Sequence, residues 1–173
     1  MTTRRKNTPT CEDGLKAKGF FRLHIHEDGD PNGPVVGDTG WRENQIQNLG
    51  YASYLVGNLI GASSLGSINA IGIGTGGLAN VTDVTLAGEV LKRATGTNFS
   101  IATPATNSKT AIFYGSFNTN QSFLTGAGST ISNIGLFNST ATGAGTMFAC
   151  NTYTGSACAS NQAVTVTYQI TFT

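Results

Sequence analysis

Residues 163–173 read AVTVTYQITFT, in which Val164, Val166, Tyr168, Ile170 and Phe172 alternate strictly with Thr and Gln. A period of two sends one set to each face of an extended chain, so the stretch reads as a half-buried β-strand. The same rhythm recurs upstream. In KTAIFYGSFN (109–118), Phe113, Gly115 and Phe117 alternate with Ile112, Tyr114 and Ser116; in FFRLHIHEDG (20–29), Phe21, Leu23 and Ile25 alternate with Arg22, His24 and His26. Shorter extended runs, separated by Gly, Asn, Ser and Thr, lie at 67–74 (SINAIGIG), 89–96 (EVLKRATG), 98–103 (NFSIAT), 129–138 (STISNIGLFN) and 146–153 (TMFACNTY). Many short strands with turn signals between them indicate an all-β chain, an antiparallel β-sandwich or jelly-roll-like domain. Its core is expected to hold Phe113 or Phe117, Leu136 or Phe137, and one alternating set of the last strand.

The first strand runs into DGDPNG (28–33), dense in turn residues, and PVVGDTGW resumes an extended pattern, which predicts a hairpin over 18–45. The following ENQIQNLGYASYLVGNLIGAS places Ile46, Leu49, Tyr54 or Leu55, and Asn58 or Leu59 at helical spacing. This predicts one short helix over 44–62, in spite of Gly50 and Gly57 in its interior. Residues 1–17 are polar and aperiodic and read as a flexible, extended N-terminal arm. The domain reading is thus an arm (1–17) and one β-domain (18–173) whose main strands fill 66–173.

Only 11% of the 173 residues are charged, against a usual share near ~25%. Ten basic residues meet nine acidic ones, for a formal net charge of +1, which excludes the basic surface of a histone, polymerase or basic repressor. No specific nucleic acid is therefore expected as a partner. After Arg93 the only charged side chain is Lys109. A free monomer usually blunts its sheet edges with charge, so this neutral half implies cover by partner chains; a secreted polar β-domain is the alternative. No apolar run approaches ~18 residues, and MTTRRKNTPTCEDG lacks the apolar segment of a secretion signal, so no membrane span is expected and synthesis in a cytoplasm is.

The succession NQIQNLGY, AIGIGTGG, TDVTLAGEVLKR, STISNIGLFNSTATGAGTMFA and VTVTYQITF resembles a family of small virion proteins of tailed bacteriophages, over about residues 41–173. The hairpin GFFRLHIHEDG to VVGDTGW is similar to leader strands of phage structural proteins. The resemblance implies a virion location and a decoration, fibre or tail-tip role. That family tends to carry a carboxylate where this chain has Asn133, so any role of that acid does not carry over.

Several motifs invite chemistry. Gly72-Ile73-Gly74-Thr75-Gly76-Gly77 fits the dinucleotide pattern G-x-G-x-x-G, but no clear helix follows in LANVTDVTLAG to hold a pyrophosphate. A glycine turn allowing close backbone approach or positive φ is the preferred reading. Asp28, Asp30 and Asn32 match the first half of a calcium loop, and His24 and His26 on one strand face suit a shared ion. Thr39 stands where that loop needs its Glu, so Asp28–Gly33 reads as an ordinary turn and the two histidines as exposed strand residues. No nucleophile elbow or carboxylate pair is present, which points away from an enzyme and from any cofactor. Cys150 and Cys158 flank NTYTGSA and are spaced for a bridge across a hairpin, although reduced thiols suit a cytoplasmic origin better.

The reading is a non-enzymatic virion structural protein: a capsid decoration or cement subunit that binds the major capsid protein or other virion proteins and self-associates, with a trimer favoured. Attachment would use Arg4, Arg5, Lys6, Lys16, Lys18, His24 and His26. A tail-fibre, tail-tip or neck component contacting the host is one alternative. A carbohydrate-binding β-module, with Trp41 or Tyr residues stacking on sugar rings, is the other.

Overall fold

The computed structural model describes residues 16–61, 66–77, 80–102, 109–119, 122–124 and 126–173. Arg4, Arg5 and Lys6 lie outside them. The expected all-β architecture is present: the described residues form nine strands, with every pair among them antiparallel. They are β1 (Ala17–His26), β2 (Val35–Asp38), β3 (Arg42–Ile46), β4 (Ala70–Gly74), β5 (Phe99–Ile101), β6 (Thr110–Phe117), β7 (Gly128–Phe137), β8 (Met147–Ala159) and β9 (Ala163–Phe172). The order is β4-β7-β8-β3-β1-β9-β6-β5, with β2 also on β1. Strand β3 turns the corner, since its start pairs with β1 and its end with β8. The sheet thereby folds over on itself into a nearly closed sandwich.

The alternating sets fill that sandwich. Phe21, Leu23 and Ile25 of β1, Phe113 and Phe117 of β6, Ile131, Ile134 and Leu136 of β7, and Val164, Val166, Tyr168 and Ile170 of β9 form one buried cluster. Phe137 faces the other way. It packs with Ala70, Leu86, Met147 and Cys150 in a second, smaller cluster on the outside of the β4-β7-β8 layer.

The hairpin is a single return strand broken by a bulge. Register runs Phe21↔Arg42 on one side of the break and His24↔Asp38 on the other, which leaves one extra residue among Thr39, Gly40 and Trp41. Thr39 repairs the ladder: its amide donates to the Leu23 carbonyl, and its Oγ1 accepts from the Leu23 amide at 3.0 Å. Gly40 supplies the φ of +63° that the bulge needs.

Five expectations are corrected. Lys16 and Ala17 belong to the sheet, because Lys16 exchanges backbone hydrogen bonds with Thr173 and β1 starts at Ala17. The helix starts at Asn48, since residues 42–46 are held as β3 between two neighbours. It runs as an α-turn Asn48–Gly50, a π-wound stretch Tyr51–Val56 and an α-turn Gly57–Leu59, together α1. Gly50 costs helix propensity but is required, because a Cβ there would lie 2.2 Å from the Phe148 carbonyl oxygen. Residues 89–96 form no strand. Ala94 and Val90 bond to β4 at Ile71 and Ile73, but residues 91–93 loop out between them to bring Arg93 back onto Glu89. That segment still covers the outer edge of β4. Strand β8 continues through NTYTGSA, so Cys150 and Cys158 stand eight residues apart on one strand, about 25 Å at its rise. A disulfide needs Cα atoms within ~7 Å, so the bridge is excluded; both thiols are free and buried, in line with the preferred reduced reading. The fifth correction concerns His26 and is given with its site.

Candidate interaction surfaces

Strand β1 lines up three of the residues expected to make attachments. Lys18, His24 and His26 share its outward row with Arg22, and exposed Lys16, also of that set, flanks the end. They are not equally available. Arg22 forks onto Asp38, Nε to Oδ1 at 2.9 Å and Nη2 to Oδ2 at 2.5 Å, and Asp38 also accepts from the Gly40 amide. These bonds, the Arg22 guanidinium first, hold the Asp38 carboxyl well below the usual carboxylate range. His24 Nε2 lies 3.5 Å from the same carboxylate, yet burial pushes the imidazole pKa down.

His26 is not the exposed residue expected from the alternation; only 6% of its surface is accessible. The 27–34 turn folds back over it, so that its Nδ1 lies 2.9 Å from the Gly33 carbonyl oxygen and its Nε2 2.8 Å from Thr165 Oγ1. A carbonyl only accepts, so Nδ1 carries a proton, and in the neutral ring the Thr165 hydroxyl donates to Nε2. Within the turn, Asp30 Oδ1 accepts from the Asn32 amide at 2.9 Å, and Asp28 sits at φ 56° beside Gly29 at φ 66°. This is the local Asx geometry of an ordinary turn. Among the described residues no three His, Cys, Asp or Glu side chains converge as metal ligands.

The helix α1 presents an apolar face to solvent. Of its side chains only Tyr54 is buried, its ring edge-on to Phe148 at 5.2 Å and its hydroxyl donating to the Thr146 carbonyl. Leu59 is 86% exposed, Ile60 69% and Val56 53%; of the residues placed at helical spacing, Ile46 and Tyr54 are buried while Leu49 and Leu59 face solvent. Beside the helix, Tyr54, Leu55, Ile101, Phe113, Ile170 and Phe172 line an open groove of about 330 Å³.

The glycine motif is resolved as close packing. Gly72 and Gly74 lie within β4, and a Cβ on Gly74 would meet Asn133 Oδ1 at 2.3 Å. Gly76 has no room either, against Ala87. Asn133, buried, donates from one Nδ2 to the carbonyls of Gly76 (3.0 Å) and Ala87 (2.8 Å), tying the turn down. A carboxylate at this position would face two acceptors.

Sequence reasoning gave no role to the buried pair Glu89 and Arg93. The guanidinium Nε and Nη2 bind the two carboxylate oxygens, Nη1 donates to the Ser139 and Ala144 carbonyls at 2.7 and 2.9 Å, and the group lies 3.6 Å over the Phe137 ring. The Gly143 amide completes the carboxylate shell at 2.8 Å. The i,i+4 spacing was a signal, but one usually read as an exposed helical pair.

No helix among the described residues is long and apolar enough to cross a membrane. Compared with protein-family models, with curated proteins and with solved structures, the chain matches none.

Proposed function

We propose that this chain is a non-enzymatic structural protein of a tailed-phage virion, a decoration or cement subunit that seats on the major capsid protein and on copies of itself, a trimer being the favoured state. The observation that carries the reading is the apolar outer face of α1, where Val56, Leu59 and Ile60 are exposed together and Leu59 and Ile60 are the most exposed large hydrophobic residues among those described. The sheet edges no longer require a partner, since residues 87–94 cover β4 and β5 is only three residues long. Exposed aliphatic side chains on a helix with no charged residue between Glu43 and Asp83 do require one. Electrostatic guidance falls to Lys16 and Lys18 together with Arg4, Arg5 and Lys6, because Arg22 is engaged by Asp38.

The test is quantitative mass spectrometry on purified virions from a culture carrying the gene. Hundreds of copies per particle support shell decoration, whereas a few to a few tens support a tail or neck component. Absence from the particle overturns the virion reading. Deleting residues 1–15 should leave the sandwich folded and lower occupancy on undecorated shells; unchanged occupancy at low and high salt assigns attachment to the β-domain.

A further inference from the structure

On the outer face of the β5-β6-β9 layer, the strands and the 27–34 turn enclose a polar groove of about 510 Å³, inside the ~300–1,000 Å³ range of small-ligand clefts. Register fixes its floor. Tyr114 of β6 stands opposite Thr167 of β9, and Ser116 stands opposite Thr165, while Asn98 and Asn32 form the walls. Tyr114 is 43% exposed, a ring face available for contact.

The hydrogen-bonding groups are set in complementary order. With the His26 ring neutral, the Thr165 hydroxyl donates its hydrogen bond to Nε2, which leaves the lone pairs of that oxygen to accept. Ser116 Oγ donates to Asn98 Oδ1 at 3.4 Å, so Ser116 also offers an acceptor and the Asn98 amide nitrogen offers two donors. Asn98 Nδ2, Thr167 Oγ1 and Tyr114 Oη have no side-chain hydrogen bond within the chain among the described residues. No charged side chain lines the groove among those residues, so a phosphate, a nucleic-acid backbone or an acidic sugar would lack a cationic partner there.

We infer that this groove is a binding site for a neutral glycan, with a pyranose ring stacked on Tyr114 and its hydroxyls bonded by Asn98, Ser116, Thr165 and Thr167. Hydroxyl groups both donate and accept, which matches this alternation. The ring's C–H face matches an aromatic held by strand register rather than by a mobile loop. Trp41, on the β2–β3 bulge, is not part of the groove. The inference does not rest on the virion reading, since a sugar site serves equally in a protein that is never packaged.

The probes are maltohexaose, cellohexaose, chitohexaose and a printed array of bacterial surface polysaccharides. The oligosaccharides are titrated into the ¹⁵N-labelled full-length protein. At least one glycan should give saturable shifts at the amides of Asn98, Tyr114 and Thr167. Tyr114→Ala should weaken that binding about tenfold, Tyr114→Phe should retain it within about threefold, and Trp41→Ala should leave it unchanged. Tyr114 is exposed, so its variants should fold as the parent does, and circular dichroism of each variant checks this. Absence of saturable shifts with every probe overturns the site. So does glycan binding that survives Tyr114→Ala, or shifts that centre on Trp41. Extended peptides that instead perturb the β5 amides, with no glycan doing so, would make the face a strand-addition site and equally overturn it.

Discussion

Arg93→Ala tests whether the irregular course of residues 89–94 is imposed by the buried ion pair. The guanidinium and carboxylate side chains are 1% and 6% exposed. Truncation leaves Glu89 with the Gly143 amide alone and takes the Nη1 donor from the Ser139 and Ala144 carbonyls. Breaking a buried pair from one side costs about 3–5 kcal/mol, and a domain of this size loses about 2–4 °C of Tm per kcal/mol, so the melting temperature should fall by roughly 6–20 °C. Thermal unfolding followed by circular dichroism reads this directly. The double variant Glu89→Leu with Arg93→Met should be more stable than Arg93→Ala, though below the parent, because the two carbonyls still lack their donor. A cycle through the Glu89→Leu and Arg93→Met single variants should return a coupling of about 2 kcal/mol or more. A Tm within about 3 °C of the parent for Arg93→Ala, or a coupling below about 0.5 kcal/mol, would refute the clasp and make the path of 89–94 a product of the Val90 and Ala94 packing alone.

Leu59→Asp combined with Ile60→Asp should abolish self-association in sedimentation experiments while leaving Tm essentially unchanged, since both side chains already face solvent; a parent that is a stable monomer at micromolar concentration contradicts the role given to α1. Asn133→Asp should destabilise by about 2–4 kcal/mol at neutral pH, having replaced two donated bonds by acceptor–acceptor contacts. Burial raises the pKa of such an acid, so the folded state binds the extra proton and the deficit should shrink as pH falls from 7 to 5; an equal deficit at both values counts against the geometry. Burial pushes the Cys150 thiol up to about 12 and Cys158 up to about 11, and Tyr54 and Tyr153 up to about 12. The folded state then holds protons that the unfolded chain releases above about pH 9–10, so stability should decline as pH rises beyond that point; neither thiol should react with Ellman's reagent at pH 8 before unfolding.

The alternating strands were legible because each buries one face only; β6 and β9 follow the written pattern residue by residue, and β1 follows it as far as Ile25. The segment 89–96 was not legible as an edge cover. Its inward residues, Val90 and Ala94, are four apart, a spacing that belongs neither to a strand nor to its actual role. The helix was visible as periodicity but not in orientation, since nothing local says that Leu59 faces water while Tyr54 takes the core. The row of Lys18, Arg22, His24 and His26 was readable from β1 alone. The burial of His26 was not, because it depends on the distant Thr165 and on a turn folding back. The groove at Tyr114 depends on the β6–β9 register, and pairing partners are not written in either strand by itself.

The position of β9 has a consequence for how the chain comes to be folded. It follows every other strand in sequence yet lies between β1 and β6, paired with ten residues of the one and eight of the other. Until it arrives, β1 and β6 each present an open row of amides and carbonyls, and Phe21 and Phe113 lack the neighbour that shields them. Closing the sheet joins Ala17 to Phe172 across nearly the whole chain, a contact order that makes the final step slow. During synthesis the nascent chain is therefore sticky for longest just before completion, and a premature stop within 163–172 should yield aggregate rather than a slightly shortened domain.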